Sequence, residues 1–232
     1  MAKKKSTWLS PKKQKALEEK LRRERRKKIA IISIASVVAI AALVWLVVGI
    51  ALASRPYYAD IEIEGYGTIT VKLRDDEAPI TVDRFVELAS SGFYNGTTFN
   101  KVLAENMICG GFKDGGERPS PIKGEFLDNG VENNLSHLRG TIVMLRETKS
   151  DDDANSKYSD FYDTARNEFY IMQRDDLTLD GYYATFGTVI SGMDVVDKIC
   201  AQVETEGDDG FVLKENRPVI KTITIRRSKE RE

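Results

Sequence analysis

The segment Gly96-Thr97-Thr98-Phe99-Asn100-Lys101-Val102, followed by Gly110-Gly111, is the most informative guide to the architecture of this chain. β-branched and aromatic residues are frequent from Thr97 to Leu103, and this composition predicts a β-strand. Stretches of the same kind recur on both sides of the segment. The segment therefore belongs to a strand-rich domain.

Short strands and two helices are predicted around this segment. Tyr58 to Ile63 and Thr68 to Leu73 alternate in polarity, and Gly65-Tyr66-Gly67 between them indicates a hairpin. Pro79 suits the first turn of a helix that covers Ala78 to Ala89. The other predicted elements are strands at Thr141 to Leu145, Glu168 to Met172, Ala184 to Val189 and Val219 to Ile225, and a helix at Met193 to Cys200. Many short strands with few helices favour a barrel or a sandwich over a βαβ sheet.

Several segments taken together resemble the signature of the cyclophilin-type peptidyl-prolyl isomerases. Besides the two segments quoted first, they are Arg139-Gly140-Thr141-Ile142-Val143-Met144, Asn167-Glu168-Phe169-Tyr170-Ile171, and Leu179-Asp180-Gly181 running into Phe186-Gly187. They occur in the family's order at close to its spacing, over nearly all of Tyr57 to Arg227. The resemblance implies a mainly β fold, a closed eight-stranded antiparallel barrel with two capping helices. It also implies a substrate groove on the outer face of the barrel.

The activity that the resemblance implies is cis-trans isomerisation of Xaa-Pro bonds in polypeptide substrates. Rotation about such a bond crosses a barrier of ~18–20 kcal/mol, which arises from lost amide resonance. A catalyst therefore needs no nucleophile, metal or cofactor. It must hold the proline ring in an apolar pocket and stabilise the twisted amide better than the planar one.

The residues of the family's site match this chain only in part. Lys101 stands at the position of the family's catalytic arginine and keeps the charge, but it lacks the planar fork of donors. The expected substrate-binding residues are Met107, Cys109, Arg146, Glu168, Tyr170, Leu179 and Tyr183. Met107 and Leu179 match the pocket, and Tyr170 replaces a phenylalanine. Changed positions are Asn106 for a phenylalanine, Cys109 and Glu168 for glutamines, Thr178 for a bulky residue and Tyr183 for a histidine.

These changes leave two functions open. The first is an isomerase in which Lys101 stabilises the twisted amide electrostatically, and in which Arg146 can supply the missing guanidinium. The second is a weak or inactive cyclophilin-like module that binds a peptide or protein. A pairing of Glu168 with Lys101 or Arg146 would occupy the charge that catalysis needs. Cys109 is expected to be a small buried apolar side chain, and His137 to make a structural hydrogen bond.

The N-terminal part of the chain predicts a membrane anchor. Residues 29–53 are almost all apolar and carry no charge, and at ~1.5 Å per residue they are long enough to cross the ~30 Å hydrocarbon layer as one helix. Residues 1–28 hold thirteen Lys/Arg against three Asp/Glu. Such a block stays in the cytoplasm, which places the C-terminal domain outside it. We expect a basic segment at 1–28, a transmembrane helix in contact with lipid at 29–53, and a cyclophilin-like domain at 54–232.

Other interpretations of this end of the chain remain. Ala51-Leu52-Ala53 resembles a cleavage site, although the apolar run is longer than that of a signal peptide. From residue 9 to residue 28 the basic block contains no aromatic side chain, so we expect no nucleic-acid partner. Cys109 and Cys200 do not form a disulfide framework, and one histidine is too few for a His-rich metal site. No metal or cofactor is expected.

Overall fold

The chain divides into two compact units, Met1–Ser54 and Arg55–Glu232. The computed structural model describes residues 11–53, 56–115, 118–148, 159–207 and 209–227. Within the first unit, one helix, α1 (Pro11–Ala53), joins the basic segment to the apolar one without a break.

The transmembrane helix expected at 29–53 is not confirmed. Over the residues that the structure describes, no helix is both long enough and apolar enough to cross a membrane. The apolar run is the C-terminal part of a longer helix, and the residues before it in that helix are strongly charged.

The second unit is built on one antiparallel sheet of eight strands. The strands are β1 (Tyr57–Ile63), β2 (Gly67–Leu73), β3 (Lys101–Leu103), β4 (Met107–Gly110), β5 (Thr141–Met144), β6 (Phe169–Met172), β7 (Ala184–Ser191) and β8 (Ile220–Arg227). Their order in the sheet is β3-β4-β6-β5-β7-β2-β1-β8. The mainly β class and the number of strands agree with the prediction.

The sheet is a curled half-barrel and not the fully closed barrel that we expected. Among the described residues, the link between its end strands, β3 and β8, lies ahead of β3, where Thr98 forms an isolated bridge with Val219. There, the backbone N–H of Phe99 donates to the carbonyl of Pro218 at 2.9 Å. Proline has no N–H with which to return such a bond. The ladder therefore does not continue from this bridge toward β3, although on its other side the Ile220 N–H donates to the carbonyl of Thr97 at 2.8 Å.

Two helices pack on the sheet, as predicted. In α2 (Pro79–Ser90), Val82, Phe85, Leu88 and Ala89 are buried on one face, and in α3 (Met193–Gln202) the buried residues are Val195, Val196 and Ile199. The start of α2 is fastened by the buried carboxylate of Glu125. It accepts hydrogen bonds from the backbone N–H groups of Ile80 at 3.0 Å and Thr81 at 2.7 Å. These N–H groups lie in the first helical turn, where the helix itself offers no acceptor.

Aromatic rings fill the interior of the half-barrel. Phe85 packs against Tyr94, Phe169 and Phe186 with ring centroids 5.2 to 5.6 Å apart. At Gly110, a Cβ atom would lie 2.6 Å from the Phe99 ring. Because the interior is closely packed, any ligand site of this domain has to lie on the outside of the sheet.

Candidate active site

An outward-facing cleft of about 690 Å³ lies over β3, β4 and β6. All eight residues that the sequence analysis proposed for the site line it: Lys101, Met107, Cys109, Arg146, Glu168, Tyr170, Leu179 and Tyr183. Asn106 and Thr178, two of the changed positions, are not among its lining residues. The cleft is therefore formed by almost the same set of positions that the family resemblance implies.

Strand register explains why these residues share one face. Lys101 on β3 is paired with Cys109 on β4, and Cys109 is paired with Tyr170 on β6. Directly opposite residues of neighbouring strands point to the same side of a sheet. Ile108 and Ile171, the alternate residues, point the other way into the main core. The row Lys101–Cys109–Tyr170 thus forms the base of the cleft.

An apolar cluster separate from the main core forms one part of the cleft. It consists of Cys109, Val143, Tyr170, Met172, Leu179 and Tyr183, with Met107, Leu145 and Tyr182 packed against it. The cluster members are buried, and the half-buried Met107 and Leu145 extend its apolar surface into the cleft. Such a surface suits the ring of a proline, because burying the ring removes apolar area from water.

Lys101 is half-buried beside this cluster. Its Nζ lies 5.2 Å from the centroid of the Phe211 ring, a cation–π contact. Phe211 is a loop residue that also bridges the Lys101 backbone. Within the described part of the chain, Lys101 makes no ion pair with a carboxylate. Its charge is held near the cleft by an aromatic face.

The ion-pair partner of Glu168 within the described residues is Arg118. Its carboxylate lies 3.9 Å from the Arg118 guanidinium, which is also 3.4 Å from Glu147. Arg166 approaches the same Glu147 at 3.8 Å. Burial raises the pKa of Glu168. These four charged residues form one end of the cleft, and Lys101 takes no part in the ion pairs among them.

Arg146 is built into the wall of the cleft. Its side chain is buried, and the guanidinium carbon lies 4.6 Å from the Tyr183 ring centroid. Nε donates to the carbonyl of Tyr182 at 3.0 Å, and Nη1 donates to that of Glu147 at 3.2 Å. The rings of Phe126 and Tyr162 complete its aromatic surroundings. These contacts fix the position of the guanidinium before any substrate arrives.

Cys109 behaves as the expected small buried residue. Burial raises the pKa of its thiol to about 12, so the thiol stays protonated at neutral pH. Both Cys109 and Cys200 are free. Among the described residues, no group of three or more His, Cys, Asp and Glu side chains is arranged to hold a metal ion.

His137 lies directly behind the cleft and makes the structural hydrogen bonds that were expected of it. Its Nδ1 lies 2.8 Å from Asp180 Oδ1, and its Nε2 lies 3.1 Å from the Tyr170 hydroxyl. The planes of the imidazole and of the Tyr170 ring are inclined by 24°, with 6.2 Å between centroids.

Sequence reasoning missed ten further lining residues, and all but Leu103, the last residue of β3, lie outside the strands. They are Asn100, Leu103, Arg118, Leu145, Glu147, Thr148, Thr164, Arg166, Asn167 and Phe211. Most carry no periodic or motif signal. Asn100 and Asn167 are exceptions, because both fall inside segments quoted for the family resemblance.

Comparisons with known proteins agree with this geometry. The family model for the cyclophilin type peptidyl-prolyl cis-trans isomerases matches residues 58–230. Peptidyl-prolyl cis-trans isomerase A of Dickeya dadantii is 40% identical over 159 residues, which cover 66% of this chain and 76% of that protein. Peptidyl-prolyl cis-trans isomerase B of Escherichia coli is 37% identical over 134 residues, covering 58% and 79% respectively.

A solved structure shows the same fold. The crystal structure of a Cryptosporidium parvum cyclophilin type peptidyl-prolyl cis-trans isomerase, in the presence of the dipeptide Ala-Pro, superposes with a TM-score of 0.59 at 21% identity. The match covers 74% of this chain and 99% of that one.

Proposed function

We propose a mechanism from one premise: this chain belongs to the cyclophilin type peptidyl-prolyl cis-trans isomerase family and is a peptidyl-prolyl cis-trans isomerase. The proposal is that Lys101 stabilises the twisted amide of an Xaa-Pro bond while the apolar cluster holds the proline ring. The observation that carries it is that Lys101 and the cluster line one cleft.

The chemistry needs two things that this cleft offers. Twisting the amide breaks its resonance and returns the lone pair to the nitrogen, so a cationic hydrogen-bond donor near that nitrogen stabilises the twisted amide more than the planar one and lowers the barrier. The ammonium group of Lys101 can donate three hydrogen bonds, and its partner Phe211 does not compete as an acceptor for them. Met107, Tyr170 and Leu179 offer the proline ring an apolar surface.

Replacing Lys101 tests the mechanism. Lys101→Ala is expected to lower kcat/KM by about tenfold or more, because it removes charge stabilisation that acts mainly in the transition state. Exchange spectroscopy by NMR on an Xaa-Pro peptide measures this rate. Lys101→Arg is the matched control and should keep most of the activity, because it preserves the positive charge. Equal rates for the unsubstituted protein and Lys101→Ala would refute the role of Lys101.

The changed groove supports a second candidate function, a binding module of low catalytic power. Glu168 and Arg118 place an ion pair at one end of the cleft. Tyr183 stands at the position that the family resemblance matches to a histidine. This alternative predicts that an Xaa-Pro peptide binds, as measured by chemical-shift changes, without faster isomerisation than in free solution.

The clients and the location are proposed on sequence grounds. The uncharged run at 29–53 follows a strongly basic block, and the residues beyond it hold 33 Asp/Glu against 22 Lys/Arg. Such asymmetry supports a single-pass protein with a cytoplasmic N-terminus and an extracytoplasmic isomerase domain. The domain would then act on exported proteins that are still folding close to the membrane.

A further inference from the structure

Tyr170 belongs to the wall of the cleft that would hold a proline ring. Such a wall needs only an aromatic ring, but Tyr170 also carries a hydroxyl group. The residue is 1% exposed and lines the cleft, yet its hydroxyl lies 3.1 Å from Nε2 of His137. His137 is fully buried. The hydroxyl therefore has a partner behind the wall, on the side away from a bound proline.

The direction of these hydrogen bonds follows from the chemistry of the partners. Burial acts to raise the pKa of Asp180, but hydrogen bonds from the backbone and ring of His137 outweigh it and leave that pKa below its ordinary value. Asp180 is thus an ionised acceptor, and Nδ1 of His137 must donate to it. Burial lowers the pKa of His137, so the ring is neutral at pH 7. Its Nε2 carries no proton and must accept from the Tyr170 hydroxyl.

The surroundings hold this arrangement from several sides. The His137 backbone N–H also donates to Asp180 Oδ1 at 2.7 Å, and its carbonyl accepts from the N–H of Asp176 at 2.8 Å. The Tyr183 ring packs edge-on against both His137 and Tyr170, with centroids 6.3 and 5.9 Å away. The imidazole has little room to turn, so Nε2 is a fixed acceptor.

We propose that His137, oriented by Asp180, is a positioning residue for the proline-binding wall. It engages the hydroxyl of Tyr170, so that Tyr170 presents only its ring to the substrate. An apolar pocket is thereby kept although its wall residue is a tyrosine. The inference rests on the proposed isomerase function of the cleft.

A single substitution and a double substitution in this hydrogen bond have different expected costs. Removing only the acceptor leaves a buried hydroxyl without a partner, which is unfavourable, whereas removing the donor as well leaves nothing unpaired. After loss of the His137 acceptor, the Tyr170 hydroxyl has to turn toward water in the cleft. That movement takes the ring out of the position that a proline needs.

Four proteins test the proposal: the unsubstituted chain, His137→Phe, Tyr170→Phe, and the double variant. His137→Phe is expected to lower kcat/KM by about fivefold or more, mainly through a higher KM, whereas Tyr170→Phe keeps the ring without the hydroxyl and serves as the background in which the loss of the acceptor is measured again. The double variant should return to within about twofold of Tyr170→Phe. A double variant that is as impaired as His137→Phe would overturn the proposal. Melting temperatures taken alongside show whether an activity loss reflects unfolding.

A second measurement does not depend on activity or on any substitution. The ¹⁵N and ¹H spectra of the single histidine report which ring nitrogen carries the proton. The proposal requires protonated Nδ1 and bare Nε2 at pH 7, together with a change in the Nε2 signal in Tyr170→Phe. A proton on Nε2 at pH 7, or an unchanged signal, would overturn it. If these spectra agree while no variant accelerates isomerisation, it is the proposed function that fails.

Discussion

Lys101 and Arg146 illustrate how two cations in one cleft are held in different ways. Lys101 is half-buried, and its ammonium rests on the ring of Phe211. Arg146 is buried, and two backbone carbonyls and an aromatic face take up its planar guanidinium. A flexible point charge can follow an amide as it twists, whereas a planar group bound on its edge and its face serves to hold a wall in place.

The protonation of His137 predicts how stability depends on pH. Its pKa is below the ordinary 6.5 because burial disfavours the charged ring. Below pH 6.5 the unfolded chain takes up a proton that the folded chain refuses. The contribution of His137 to the free energy of unfolding is therefore fully present above pH 6.5. It falls as the pH drops from 6.5 toward the lowered pKa of His137, by at most about 1.4 kcal/mol per pH unit. Urea unfolding at several pH values measures this slope, which His137→Phe should remove.

Glu168 has the opposite effect on the pH dependence of stability, so its contribution has to be separated from that of His137. Burial raises its pKa above 4.5, so the folded chain binds a proton earlier than the unfolded chain as the pH falls. Protonation of Glu168 therefore adds stability in a window that starts near its raised pKa and ends near pH 4.5. In Glu168→Gln the decline caused by His137 should be steeper. A slope that is the same with and without His137 would contradict the prediction.

At the level of single residues, the sequence was sufficient to predict eight positions of the cleft but not their partners. The positions follow from family segments that lie on strands, where register fixes the face. The sequence left open a pairing of Glu168 with Lys101 or Arg146, and the ion-pair partner of Glu168 among the described residues is Arg118. Arg118 and Phe211 come from loops distant in sequence, and local patterns do not indicate which long-range contacts they make.

Among the elements, α2 depends on a residue far away in sequence. Glu125 is 2% exposed and accepts from the first turn of α2. Glu125→Ala would leave two N–H groups without this acceptor and is expected to lower the free energy of unfolding by about 1–3 kcal/mol. Chemical denaturation measures the change.

The same helix supplies the control for that experiment. Glu87 also carries a carboxylate, but its side chain is 70% exposed and only approaches Arg84 at 3.7 Å. Glu87→Ala should change the free energy of unfolding by less than about 0.5 kcal/mol. Similar effects at Glu125 and Glu87 would argue against the capping role.

Element boundaries were predicted well where the polarity pattern was clear. The hairpin of β1 and β2 and the two packed helices lie within one or two residues of their predicted limits. β4 was missed because Met107-Ile108-Cys109-Gly110 is short and does not alternate in polarity. The strand expected at Thr97 to Leu103 is regular only from Lys101, since its first half makes isolated bridges with Phe112 and Val219.

For the whole molecule, the proposed membrane attachment gives a separate prediction. The full-length protein should stay in the pellet after alkaline carbonate extraction of membranes, because an uncharged run such as 29–53 partitions into hydrocarbon. A version beginning at Ser54 should be released. Protease added from outside should digest the domain in spheroplasts, or in sealed vesicles whose extracytoplasmic side faces outward. Release of the full-length protein by carbonate would refute the attachment.

The general architecture could be inferred from the sequence because many weak local signals agreed. Strand composition, turn glycines and the ordered family segments all indicated one strand-rich domain. Closure of the sheet could not be inferred in this way. It depends on a few backbone contacts between Thr98 or Phe99 and the start of β8, where Pro218 interrupts the ladder.

The charged end of the cleft and the aromatic wall around Arg146 should respond differently to ionic strength. The Debye length is about 3 Å in 1 M salt, so the exposed Arg118–Glu147 pair will be strongly screened there. Contacts of Arg146 with carbonyls and ring faces are short, buried and little affected by mobile ions. Concentrated electrolyte should therefore loosen the charged end while the aromatic wall keeps its shape. In concentrated salt, the protein should then still accelerate the isomerisation of a short uncharged Xaa-Pro peptide. The difference in rate between longer peptides of different charge should decrease.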